Sequence, residues 1–243
     1  MAKRALMLNG GTMRGAFLVG ALKVIHEKFG QDYFDVIFST SVGVFEQAFF
    51  ASGQIYFMEN TWKDYVHGRQ LINPHNLFKG KPILDLDYLV DLFQSEKSML
   101  DIEAMKKSKP KLFTFASNYE TKQPELIDLK ENPIFDVMKA TCALPYVYPK
   151  KVFVNNKRYV DGFLSSPPVF KKFIHDTLSN YDEVLVVSSH KTRDDRFSGM
   201  KFVIEPKKLP LKRPFDTNRE RIIETIKQGE VDTMEFLANN TFL

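Results

Sequence analysis

The strongest constraint on this 243-residue chain is a pattern that occurs twice near its start: a short apolar run, a turn of small residues, then a helix. Ala5-Leu6-Met7-Leu8 stops at Asn9-Gly10-Gly11, and from residue 13 to 29 the apolar side chains Phe17, Leu18, Ala21, Leu22, Val24 and Ile25 recur at spacings of three and four before Gly30. Residues 34–38 (FDVIF) then repeat the apolar run, Ser39-Thr40-Ser41 makes the turn, and 42–50 reads as a helix with Gly53 beyond it. A continuous apolar run bounded by turn residues is the pattern of a strand buried on both faces. Strands alternating with helices predict an α/β fold, with a mostly parallel central sheet and helices on both faces. Further strands are expected at 111–116, 125–129 and 183–188, with a weaker one at 201–204. A hairpin is expected around Asn155-Asn156, and helices over 84–93, near Ile102, over 134–142 and over 217–237. Ligands of such sheets sit beyond the carboxyl ends of the strands, which is where both early turns lie.

Composition removes several classes. The 34 basic and 30 acidic residues leave a net charge of +4, and they are interspersed, so no nucleic-acid arm is expected. One cysteine, Cys142, rules out an internal disulfide and a cysteine-based metal cluster, and no metal or cofactor is expected. No apolar run approaches the ~20 residues of a membrane span, and the first residues lack the apolar stretch of a signal peptide. The expectation is a cytoplasmic chain whose residues 1–243 form one domain. Composition leaves its oligomeric state open.

Three segments carry chemistry. In Asn9-Gly10-Gly11-Thr12-Met13-Arg14-Gly15 the glycines stand where a strand hands over to a helix, so that backbone N–H groups can converge on an anion. The same glycines also suit a plain tight turn, and the spacing matches neither a P-loop nor a dinucleotide fingerprint. Ser39-Thr40-Ser41-Val42-Gly43 places Ser41 between a buried strand and a helix, with small residues two before and two after. This is the pattern of a nucleophile elbow. An N-capping serine is the alternative, although Val44 rather than Glu or Gln stands three residues on. Arg158-Tyr159-Val160-Asp161-Gly162 ends an apolar strand in a carboxylate, and Asp-Gly is also a common turn. None of His26, His67, His75, His175 and His190 lies in a motif typical of a triad histidine, and each is read as structural or exposed.

The order of these three segments resembles the patatin-like phospholipase family. The stretch Ala140-Thr141-Cys142-Ala143-Leu144-Pro145, then Pro149, Tyr159-Val160-Asp161-Gly162 and Pro167-Pro168 are similar to the family's approach to its Asp-Gly motif, and the motif-bearing part covers about 6–169. The resemblance implies that Ser41 is the nucleophile and Asp161 its sole partner base. It implies that Gly10, Gly11, Thr12, Arg14 and Gly15 form the oxyanion-hole segment, that Ser39 and Gly43 flank the elbow, and that Gly162 completes the Asp-Gly motif. The implied activity is a serine-dependent acyl hydrolase of lipid or fatty-acyl esters working through an acyl-enzyme. Alternatives are an acyltransferase on the same site, a catalytically silent lipid-binding module, and a nucleotide-binding protein. The chain departs from the family at Ser39 and Thr12, where glycine is usual, and at Glu46, where small or apolar residues are usual. Glu46 is expected either to lie exposed or to add negative charge near the dyad. The irregular stretch 56–131, with Phe57, Trp62, Tyr65, Leu71, Leu77 and Phe78 beside Lys79 and Lys81, is read as a lid or lipid-facing rim that makes peripheral membrane contact.

Overall fold

The computed structural model describes residues 2–162, 167–191, 197 and 199–240. The first unit is β1 (Arg4–Asn9), a single 3-10 turn (Thr12–Gly15) and α1 (Ala16–Phe29), and the second is β2 (Val36–Thr40) followed by α2 (Gly43–Ala51). The irregular stretch holds α3 (Ile55–Asn60), a π-helical turn (Thr61–Tyr65), a 3-10 turn (Pro74–Lys79), α4 (Leu86–Gln94) and α5 (Ile102–Lys107). The chain returns to the sheet through β3 (Lys111–Asn118), β4 (Pro124–Asp128), α6 (Ile134–Cys142), β5 (Val152–Val154) and β6 (Lys157–Val160). It ends with α7 (Pro167–Leu178), β7 (Glu183–Ser188), β8 (Phe202–Ile204) and α8 (Arg219–Asn239).

The strands form one sheet in the order β5-β6-β3-β2-β1-β7-β8, with β4 paired to β3 off this path. The α/β expectation holds. The pairs among β3, β2, β1, β7 and β8 are parallel, whereas β4, β5 and β6 join antiparallel. The parallel centre is apolar on both sides because both sides are covered. Ala5, Met7 and Phe38 pack on one face with Ile174 and Leu178 of α7, while Leu6, Leu8 and Ile37 face α1, α2 and α8. Helix α7 is missing from the sequence expectation: its segment was read only as a Pro-Pro motif, since Pro167 and Pro168 at a helix start look like loop until the fold supplies the face they open.

Register brings the two early turns to one edge. Asn9 pairs with Thr40 on one side and with Ser188 on the other, so β1, β2 and β7 end level. A polar seam ties these ends, with Asn9 Nδ2 donating to Ser188 Oγ at 2.8 Å and Thr40 Oγ1 donating to Asn9 Oδ1 at 3.3 Å. Among the described residues no helix is long and apolar enough to cross a membrane.

Candidate active site

Ser41 sits between β2 and α2 at φ 49°, a left-handed conformation uncommon for a residue with a side chain. Such strain persists only where surrounding contacts hold it. Here the Ser41 N–H donates to Thr141 Oγ1 at 3.0 Å, and the Thr141 hydroxyl in turn donates to the Phe115 carbonyl at 2.7 Å. The helix that follows starts close against β1: a Cβ on Gly43 would lie 2.7 Å from the Leu8 carbonyl oxygen, so only glycine fits. Every residue of α2 is buried, including Glu46 and Gln47.

The first turn carries a matching strained residue, Thr12, at φ 53°. Its hydroxyl lies within hydrogen-bonding distance of two carbonyls, Gly11 at 2.7 Å and Pro214 at 2.6 Å. The Pro214 carbonyl also accepts from the Met13 N–H at 2.9 Å, and the Arg14 guanidinium donates to the Leu211 and Lys212 carbonyls. Residues 211–214 therefore strap this loop from outside. Donors along the loop divide: Gly10 N–H goes to Thr40 Oγ1, Met13 N–H to Pro214 and Arg14 N–H to Gly11. The N–H groups of Gly11 and Thr12 make no hydrogen bond among the described residues.

Asp161 follows β6, nearly buried, its N–H donating to the Ala143 carbonyl at 3.0 Å. It shares with Ser41 a polar cleft of about 380 Å³, lined also by Gly10, Gly11, Thr12, Arg14, Gly162, Lys171 and His190. Ser41, Thr12 and Leu144 also line a second space, a narrow apolar slot of about 50 Å³ walled by Phe45, Trp62, Leu71, Leu84, Leu89 and Phe93. The serine stands at the boundary of the two. Burial pushes the Cys142 thiol up, and the Asp161 carboxylate adds to this, so it is neutral; the Ser41 hydroxyl lies within hydrogen-bonding reach of its sulfur.

The three departures each have a structural answer. Ser39 is fully buried and donates to Gln47 Oε1 at 2.6 Å, while Gln47 Nε2 donates to the Ile37 and Phe113 carbonyls. The hydroxyl that replaces a hydrogen atom is thus met by a side chain from the same helix. Thr12 takes the left-handed conformation with its hydroxyl satisfied, as above. Glu46 meets neither expectation: it is fully buried in the slot wall, and burial raises its carboxyl to about 8 against the Trp62 indole N–H, which donates to Oε1 at 2.8 Å. It is neutral at pH 7.

Of the residues named from sequence, Ser41, Asp161, Gly10, Gly11, Thr12, Arg14 and Gly162 meet at the cleft. Gly15 lies behind it, where a Cβ would strike Val42 and Trp62, and Ser39 and Gly43 sit beneath in the strand-helix crossing. His190, read as structural or exposed, lines the cleft, and so does Lys171. Neither has a sequence signal: His190 arrives because β7 runs parallel to β1 and ends beside it. The expected rim divides. Trp62 and Leu71 turn inward to wall the slot, whereas Leu77 and Phe78 are exposed, Phe78 at 88%.

Residues 6–174 match the sequence model of the family described as patatin-like phospholipase. Over 171 residues the chain is 28% identical to the uncharacterized protein YjjU of Escherichia coli, a match covering 66% of this chain and 45% of that one. Among solved structures it is similar to VipD from Legionella pneumophila, with a TM-score of 0.58 and 14% identity over 98% of this chain and 67% of that one. It is also similar to the type III effector ExoU of Pseudomonas aeruginosa, with a TM-score of 0.51 and 13% identity over 98% of this chain and 53% of that one. At such identities the structural likeness concerns the fold, and the chain spans about half the length of YjjU and of ExoU.

Proposed function

The chain belongs to the patatin-like phospholipase family, and from that premise we propose that it is a serine acyl hydrolase of lipid esters, its 243 residues acting as one catalytic unit. The observation that carries this reading is Ser41, held at φ 49° where an apolar slot meets the polar cleft that Asp161 lines. A chain entering the slot leaves its ester carbonyl at the serine and its alcohol part in the cleft.

In the first step Asp161 takes the Ser41 proton as the oxygen attacks the carbonyl carbon. The tetrahedral oxyanion is met by the Gly11 and Thr12 N–H groups, the two donors the loop leaves unused. Collapse breaks the carbon–oxygen bond, and the alcohol leaves with the proton from Asp161. Water, deprotonated by the same carboxylate, then releases the acyl chain. Arg14, Lys171 and His190 border the cleft where the alcohol part sits, a setting suited to a polar or anionic headgroup. The exposed Leu77 and Phe78, beside Lys79 and Lys81, supply the rim that meets a lipid surface.

Labelling with a fluorophosphonate, mapped by mass spectrometry, is expected to modify Ser41, and Ser41→Ala and Asp161→Asn are expected to abolish turnover of short-chain nitrophenyl esters while leaving the fold intact. Modification of a different residue, or undiminished turnover in Ser41→Ala, overturns the reading.

A further inference from the structure

The slot beside Ser41 contains one polar group that the reaction above leaves unused. Among its polar wall atoms, the Thr12 hydroxyl shares its one proton between the Gly11 and Pro214 carbonyls, and the Thr61 hydroxyl bonds to Phe57 and Ser98. The Cys142 sulfur is reached by Ser41. Glu46 is different. Its Oε1 accepts from the Trp62 indole, but its Oε2 is buried and has no hydrogen-bond partner among the described residues. Burial keeps the carboxyl protonated at pH 7. With Oε1 occupied as an acceptor, the proton belongs on Oε2, which leaves a buried O–H donor without an acceptor. A donor left unmet in a dry site is costly, and costlier than one exchanged for water. The rest of the wall is hydrocarbon, so an acceptor must come with whatever enters the slot.

We propose that Glu46 forms a polar subsite inside the slot, which selects acyl chains bearing an acceptor oxygen, a hydroxyl or keto group along the chain, over plain hydrocarbon chains. The inference rests on the acyl-hydrolase reading and adds the substrate class. A site built to hydrogen-bond a substrate oxygen discriminates strongly against the analogue that lacks it, because the buried group is then left unpaired. A purely hydrocarbon slot has the opposite preference, since a hydroxylated chain loses its water on entry and gains nothing.

The test compares nitrophenyl decanoate with a positional series of its monohydroxylated derivatives at pH 7, on the wild type, Glu46→Gln and Glu46→Leu. At least one hydroxylated ester is expected to exceed the plain ester in kcat/KM by about tenfold or more in the wild type. Glu46→Gln, whose amide keeps a donor, is expected to retain the preference, and Glu46→Leu to lose it. A plain ester preferred over the whole series by the wild type, or a preference that persists in Glu46→Leu, overturns the proposal and leaves the hydrolase reading standing. If no ester is turned over, that reading falls, and the subsite is judged by binding alone. Trp62, the only tryptophan in the chain and the partner of Glu46, then reports by its fluorescence on titration with decanoic and hydroxydecanoic acids. Tighter binding of a hydroxylated acid by about tenfold, lost in Glu46→Leu, supports the subsite, and equal binding overturns it.

Discussion

The two turns that face the cleft look alike in sequence and are held in different ways. Each follows a parallel strand, precedes a helix and contains a residue other than glycine at positive φ, Thr12 at 53° and Ser41 at 49°. The Ser41 turn is fixed from beneath, by Thr141, by the Ser39–Gln47 pair and by a helix with no exposed residue. The Thr12 turn is fixed from outside, by the carbonyls of residues 211–214. Those residues lie beyond the 6–174 that match the family. The same outer segment continues into contacts with the irregular stretch, through Thr217 to the Gly68 N–H and through Arg219 to Asp64. Ser41 is therefore positioned from within the stretch that matches the family model, whereas the Thr12 turn leans on a segment outside that stretch. Changes at the first are expected to show in folding, and changes at the second in turnover.

The largest effect is expected on the core side, at Glu46. Its carboxyl sits at about 8 in the folded chain against an ordinary 4.5, and its neighbours in the slot are the Trp62 indole, the Thr61 hydroxyl and the neutral Cys142 thiol. Because the folded state holds a proton that the unfolded state gives up, the stabilisation is complete below pH 4.5 and is lost as pH rises through about 8. The loss amounts to roughly 4–5 kcal/mol. Glu46→Gln removes this slope, and urea denaturation at a series of pH values reads it; parallel curves for wild type and variant break the assignment of Glu46 as buried and neutral.

Next in size is Gln47→Leu, which strands the Ser39 hydroxyl and removes two donations to the Ile37 and Phe113 carbonyls. A loss of about 3 kcal/mol in unfolding free energy is expected. A loss below about 1 kcal/mol means that the elbow does not depend on this pair. Arg14→Ala, on the other turn, reverses the pattern. Freed from Leu211 and Lys212, the loop is expected to lower kcat/KM by about tenfold, since an intact oxyanion donor is worth more than that, while the denaturation midpoint barely moves. Equal turnover shows that the outer strap does not order the loop.

The smallest effects separate the two strained residues themselves. Ser41→Gly relieves the left-handed conformation and is expected to stabilise the inactive protein by about 1 kcal/mol. Thr12→Gly relieves similar strain but gives up the hydroxyl donation shared by the Gly11 and Pro214 carbonyls, so its stability is expected to change by less than about 0.5 kcal/mol. Thermal melts of the two variants side by side decide whether the turns differ as described.

Local pattern was enough for the strands and the two turns, because strand periodicity, glycine at a close crossing and a serine between small neighbours are constraints of near neighbours along the chain. The same logic left α7 unread, since its prolines look like loop until a sheet face needs covering. It placed Trp62 and Leu71 on a rim when they wall the slot, because an aromatic near a turn has no local signal for inward or outward. His190 was read as structural or exposed and Lys171 was not named for a related reason: the parallel pairing of β7 with β1 brings the first to the cleft, and the position of α7 brings the second.

Sequence by itself determined the α/β architecture and the pair of turns, since both follow from spacing within a few positions, and its resemblance to a family singled out Ser41 and Asp161. Tertiary structure alone decided that Glu46 is buried and neutral, that Gln47 answers Ser39, and that residues 211–214 hold the Thr12 turn. Burial, desolvation and long-range hydrogen bonds depend on which distant surfaces meet, and no pattern of near neighbours encodes that.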